Sequence, residues 1–129
     1  MSERTPTVRA IHHVSFRVDD LETSLEFYCD LLGCDRRERP DFGFPGAWLR
    51  KGDVEVHLLQ WPRSEETGSP PPKAISKANH VAFAVDDLDA FRRSLEERGY
   101  DIVVSPRSTR QIWVQDPSGN VIEFISPAA

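Results

Sequence analysis

The chain has 129 residues, of which 39% are hydrophobic and 29% charged, and a formal net charge of −5. That length supports one sizeable core rather than two independent domains, and the composition excludes a disordered chain or one built around a long apolar membrane run. The acidic balance excludes a nucleic-acid backbone as the expected partner, since the local clusters Arg36, Arg37, Arg39 and Arg107, Arg110 read as solvated loop charge rather than one basic face.

The opening residues, MSERTPTVRA, lack the apolar segment of a secretory signal, so the expected location is cytoplasmic. The first element is a strand beginning at His13, in which Val14, Phe16 and Val18 alternate with His13, Ser15 and Arg17. Period-2 spacing gives way to helical spacing at Leu21, Leu25, Tyr28 and Leu32, after an Asp19/Glu22 pair whose carboxylates are placed to occupy free amides at a helix start. Gly33 supplies the stop. Cys29 and Cys34, in or just after this helix, read as free thiols.

Three short strands are expected next: a weakly marked one near Arg36 to Arg39, then Ala47 to Arg50 and Val54 to Gln60, the last two turned by Gly52-Asp53. Residues 62–78, rich in Pro, Ser, Gly and charge, read as a stiff linker between modules. The opening pattern then returns, His13-Val14-Ser15-Phe16 through Asp20-Leu21 matching His80-Val81-Ala82-Phe83 through Asp87-Leu88. A second helix follows the Asp86/Asp89 pair, carrying Leu88, Phe91 and Leu95 and ending at Gly99. Strands at Ile102 to Val104, Gln111 to Gln115 and Val121 to Ile125 complete the copy, with Asp116-Pro117-Ser118-Gly119-Asn120 as the last reversal.

The chain is thus expected to be one domain, residues 1–129, made of two βαβββ modules at about 10–61 and about 79–127 in an α+β fold. Strand parity places His13, His57, His80 and Glu123 on the faces away from the helices, at repeat-equivalent positions. Imidazole and carboxylate are the ligand types of Zn, Ni, Fe or Mn, so these four residues are the candidate metal ligands. His12 has the opposite parity and is set aside. Trp48, Trp113 and Phe42 are candidate aromatic walls of a substrate pocket.

Through IHHVSFRVDDLETSLEFYCDLLGC, NHVAFAVDDLDAF and DPSGNVIEF the sequence resembles the vicinal-oxygen-chelate superfamily of glyoxalases, bleomycin-resistance proteins and extradiol dioxygenases. The resemblance implies paired modules forming a partly closed, cupped mixed sheet with helices on its outer face, a homodimer, and a metal site sometimes shared between subunits. It places His13, His80 and Glu123 on ligand positions and His57 where glyoxalase I carries a glutamate. Arg17 matches a glutathione-contacting arginine, whereas Trp61 stands in place of its companion asparagine. The activity it implies is metal-dependent lyase or isomerase chemistry, in which a small substrate chelates the ion through vicinal oxygens, an enediolate-like charge is stabilised, and Glu123 or His57 moves the proton. Two alternatives stand beside it: an Fe(II) extradiol-type dioxygenase using His13, His80 and Glu123, and a drug- or metabolite-binding module without catalysis.

Overall fold

A computed structural model describes residues 5–127. The first module runs β1 (His13–Val18), α1 (Leu21–Leu25) continuing into a π-helical segment (Glu26–Leu31), β2 (Asp35–Arg37), β3 (Gly46–Lys51) and β4 (Val54–Gln60). The second runs β5 (His80–Ala84), α2 (Leu88–Glu97), β6 (Val103–Val104), β7 (Gln111–Gln115) and β8 (Val121–Ile125). Each module forms its own open sheet in the order first, fourth, third, second strand: β1-β4-β3-β2 and β5-β8-β7-β6. The first and fourth strands of each module pair in parallel and the others antiparallel. The architecture is therefore α+β as expected, but the strands make two four-stranded mixed sheets rather than one partly closed sheet. β1 and β5 are edge strands with no ladder between them. Among the described residues no helix is long and apolar enough to cross a membrane.

The alternation in each strand sorts as the sequence required. Val18, Leu49, Val56 and Leu58 of the first sheet and Ile112, Val114, Ile122 and Phe124 of the second are buried in one cluster with helical Phe27, Tyr28, Leu88 and Leu95. The helices thus cover the sheet faces opposite the histidines. The helix starts differ by one residue from expectation. Asp20 and Asp87 are the caps, accepting from the amides of Thr23 and Ala90 at 3.0 Å each, while the Asp19 carboxylate turns away toward Arg17 and Arg63.

The first helix widens where a regular helix was expected. The Leu32 amide donates to the Phe27 carbonyl at 3.0 Å, five residues back. This wider turn lets the adjacent residues Phe27 and Tyr28 both reach the core, where they are 1% and 0% exposed. Gly33 follows at φ +76°, in the left-handed region that closes a helix without a Cβ clash. Cys29 and Cys34 are free thiols, and burial pushes the Cys34 thiol up to about 11.

A polar clasp joins the modules. The Asp19 amide donates to Ser118 Oγ at 2.8 Å, Asn120 Nδ2 donates to the Arg17 carbonyl at 3.0 Å, and Arg63 donates to both Asp19 oxygens and to the Ser118 carbonyl. Beneath it Tyr28 donates its hydroxyl to Asp116 Oδ2 at 2.6 Å. The segment between the modules is anchored on the second one: Gln115 donates to the Pro71 carbonyl at 2.7 Å, and Ala74 is buried against Trp113 and Val121.

Candidate metal centre

The strand registers turn the sequence repeat into a structural one. On the helix-free face of the first sheet, Trp48 of β3 lies opposite His57 of β4, which lies beside Ser15 of β1. In the second sheet Trp113 of β7 lies opposite Glu123 of β8, which lies beside Ala82 of β5. Each sheet therefore presents an indole next to a potential ligand, with a histidine at the start of the neighbouring edge strand.

His80 and Glu123 form a closed-in pair. His80 Nε2 stands 3.0 Å from Glu123 Oε1, with side chains 22% and 8% exposed. His80 Nδ1 lies 2.7 Å from the Ala78 carbonyl. A carbonyl only accepts, so Nδ1 carries a proton and Nε2 is the ring atom that faces the carboxylate. A proton or a cation between Nε2 and Oε1 satisfies that contact. With metal bonds of about 2.0–2.2 Å, two ligands at a right angle stand about 3 Å apart, so this donor set fits a divalent ion. Gln111 Nε2 donates to the other carboxylate oxygen, Glu123 Oε2, at 3.2 Å and fixes its plane. Beside them Trp113 is 5% exposed, and its buried indole N–H has no hydrogen-bond partner among the described residues.

His13 and His57 are also brought together, in a different way. Their rings stack with centroids 4.0 Å apart and planes 13° from parallel, and Trp48 stacks on His57 at 4.7 Å and 12°. Lone pairs of parallel rings lie in parallel planes, so this pair reaches a common ion only after one ring turns. His57 Nε2 donates to Glu55 Oε1 at 3.0 Å, and that hydrogen bond is the main reason the Glu55 carboxyl is held below its ordinary range. His13 Nδ1 lies 2.9 Å from His12 Nδ1, so His12 serves as a neighbour of the exposed His13 ring.

The two pairs remain separate in one chain: among the described residues no group of three or more His, Cys, Asp or Glu side chains is placed to hold a metal ion. Arg17 donates to the Trp61 carbonyl and to Asp19, and lines, with His80, a groove of about 510 Å³ that runs between the modules. Trp48 borders a second cavity of about 400 Å³ with His57, Glu55 and Arg37, whereas Trp113 is covered by the 62–78 segment. Reading the sequence for ligand types passed over Gln111, Glu55 and the Ala78 carbonyl. Parity carried a signal for two of them, because Gln111 shares a face with Trp113 and Glu55 with His57.

Histidine and carboxylate at repeat-equivalent positions on paired βαβββ modules point to one family, and comparison with known proteins agrees. Residues 10–124 match the family model of the Glyoxalase/Bleomycin resistance protein/Dioxygenase superfamily. The chain is 32% identical over 122 residues to Glyoxylase I 4 of Arabidopsis thaliana, covering 89% of this chain and 69% of that protein. It is 30% identical to the lactoylglutathione lyase of Haemophilus influenzae, covering 89% and 90% respectively. Among solved structures, a glyoxalase/dioxygenase from Nostoc punctiforme superposes with a TM-score of 0.72 at 23% identity, over 99% of this chain and 100% of that one. This chain belongs to the Glyoxalase/Bleomycin resistance protein/Dioxygenase superfamily.

Proposed function

We propose that the protein is a divalent-metal-dependent enzyme of glyoxalase type, acting on a small substrate that presents two vicinal oxygens. The observation that carries this reading is the His80 and Glu123 pair, 3.0 Å apart, with Nδ1 tied to a carbonyl and Oε2 tied to Gln111. A bound divalent ion would supply Lewis acidity toward the substrate oxygens. His80 and Glu123 would hold it, completed by His13 and His57 of a second copy in a homodimer, since the two pairs do not meet within one chain.

The remaining chemistry falls to the chain's own groups. A carboxylate in a shielded site is suited to take a proton from a carbon next to a carbonyl and return it to the adjacent carbon, a net isomerisation. Glu123 would be that group on leaving the ion, with Gln111 keeping Oε2 directed while Oε1 takes the proton. His57, paired with Glu55, is the second proton carrier. Arg17 sits in the same groove as His80, where its charge holds an anionic end of the substrate.

Subunit complementation tests both the site and its sharing. A variant lacking His13 and His57 and another lacking His80 and Glu123, each replaced by alanine, are expected to bind no Zn²⁺ at the site alone. Mixed and allowed to exchange subunits, they are expected to regain one intact site per heterodimer, read by Zn²⁺ titration and by turnover of hemithioacetals. No recovery on mixing places the site within one chain. Unchanged Zn²⁺ binding in both separate variants refutes the ligand assignment, and oxygen uptake with catechols by Fe(II)-loaded protein assigns the dioxygenase branch instead.

A further inference from the structure

Among the described residues one buried side-chain donor is left without a partner, the indole N–H of Trp113. A donor taken out of water without an acceptor is destabilising, and buried polar groups are normally paired, so the exception calls for a use. Trp113 is not a remote core residue. It pairs with Glu123 across β7 and β8, on the helix-free face, and its ring stands edge-on to that of His80, with centroids 6.4 Å apart and planes at 89°. The unused donor therefore belongs to a side chain that adjoins both members of the second half-site.

What covers Trp113 is slight. Residues 72–77 cross this face without forming a strand or a helix, and of them Ala74 alone is buried, against Trp113 and Val121. The run is fixed at its two ends instead: the Pro71 carbonyl accepts from Gln115 at 2.7 Å, and the Ala78 carbonyl lies 2.7 Å from His80 Nδ1. Its internal bond, from the Ala78 amide to the Ile75 carbonyl at 3.3 Å, is local. One methyl group seated between fixed ends is a small plug, so residues 72–77 can lift while Pro71 and Ala78 stay in place. The groove of about 510 Å³ that contains His80 is lined by Pro71, Ala78 and Val121, the neighbours of this plug, so lifting it opens the groove onto Trp113.

We propose that residues 72–77 form a flap over the second half-site and that Trp113 is a further catalytic residue, its indole N–H donating, once the flap lifts, to the substrate oxygen on which negative charge develops. This rests on the metal-enzyme reading. A donor carried on a strand needs no reorganisation as that charge grows, and a donor without a partner breaks no bond before it acts. Strand β7 then serves the site twice: Gln111 directs the Glu123 carboxylate, and Trp113, two residues on, meets the substrate.

Indole N–H resonances of ¹⁵N-tryptophan-labelled protein read the donor directly, and Trp48→Phe and Trp61→Phe identify the Trp113 signal by elimination. Acetohydroxamate, a small anion with two vicinal oxygens, is the probe, added to Zn²⁺-loaded protein. The Trp113 signal is expected to move downfield on binding, as an N–H that gains an oxyanion does, and Trp113→Phe is expected to weaken the probe about tenfold or more at unchanged Zn²⁺ affinity. A bound probe that leaves the Trp113 signal in place, or that binds Trp113→Phe as tightly as wild type, overturns the donor. The flap is read on metal-free protein, so its fate is separate from that of the metal. Ala74→Gly, which removes the methyl plug, is expected to speed exchange of the Trp113 indole hydrogen with solvent about fourfold or more while the buried amides of β7 keep their rates. No acceleration, or an equal acceleration of the β7 amides, overturns the flap. Absence of Zn²⁺ binding in a protein whose Trp113 exchange still answers to Ala74→Gly refutes the metal reading and supports the flap.

Discussion

Gln111 donates from Nε2 to Glu123 Oε2 at 3.2 Å, on the oxygen that His80 does not engage. The two partners lie on adjacent strands of one sheet, so the carboxylate is aimed from both sides by rigid elements. Gln111 is thus a positioning residue for the ligand. Gln111→Leu, which keeps the bulk and removes the donor, is expected to weaken Zn²⁺ binding about ten- to hundredfold with little loss of stability. Competition with a chromogenic chelator measures it, and an unchanged affinity refutes the role.

Tyr28 and Asp116 hold the modules together from below the polar clasp. Asp116 also accepts from the amides of Ser118 and Asn120 and from Asn120 Nδ2, each at 2.9 Å. Tyr28→Phe removes one of several donors and leaves the carboxylate satisfied, so it is expected to cost about 1–2 kcal/mol. Asp116→Ala strands the Tyr28 hydroxyl and two loop amides in a buried site and is expected to cost about 3–5 kcal/mol. Urea unfolding distinguishes the two, and equal losses contradict the network.

Two aspartates of this region act on acid stability with opposite signs. Hydrogen bonds from Arg63 and then Arg17 hold the Asp19 carboxyl below its ordinary value of 3.8. Its contribution is therefore present above 3.8 and is lost as the pH falls through the lower folded value. Burial pushes Asp116 above 3.8 against its hydrogen bonds, so its contribution is full below 3.8 and is lost as the pH rises through the folded value. Asp19→Asn is accordingly expected to flatten the loss of stability below 3.8 and to lower stability on the neutral side, where the wild-type contribution is fully present. Urea midpoints followed downward from about pH 6 provide the measurement; a slope identical to wild type in acid removes Asp19 from the account.

How much of this was legible depended on whether a feature is local. Val54–Gln60, Gln111–Gln115 and Val121–Ile125 have the limits read from period-2 alternation, because each strand's pattern and turn chemistry agree. The pairing of Trp48 with His57 and of Trp113 with Glu123 follows from the repeat once the register is known. The cap at Asp20 rather than Asp19 was hidden, since two arginines, one of them 44 residues away, capture the Asp19 carboxylate. The π-helical segment was hidden too, because burial of both Phe27 and Tyr28 is settled by the second module, where Tyr100 and Asp116 meet them. The Ala78 carbonyl that orients His80 is backbone, and residue type says nothing of it.

Gly119 ties the 62–78 segment to the site. Its φ of +89° lies in the left-handed region, and an added Cβ would stand 2.8 Å from Pro70 Cγ. Pro70 neighbours Pro71, whose carbonyl accepts from Gln115, and the same segment runs on to Ala74 over Trp113 and Ala78 beside His80. Gly119→Ala therefore strains the reversal and lifts the segment together, at a cost of about 1–3 kcal/mol. The mobile segment is expected to become the first site of limited proteolysis. Because the Ala78 carbonyl then no longer fixes His80, Zn²⁺ affinity falls with it. A Gly119→Ala protein that is destabilised yet keeps wild-type Zn²⁺ affinity and protection at 62–78 separates the turn from the site and shows that the segment is held by its own contacts.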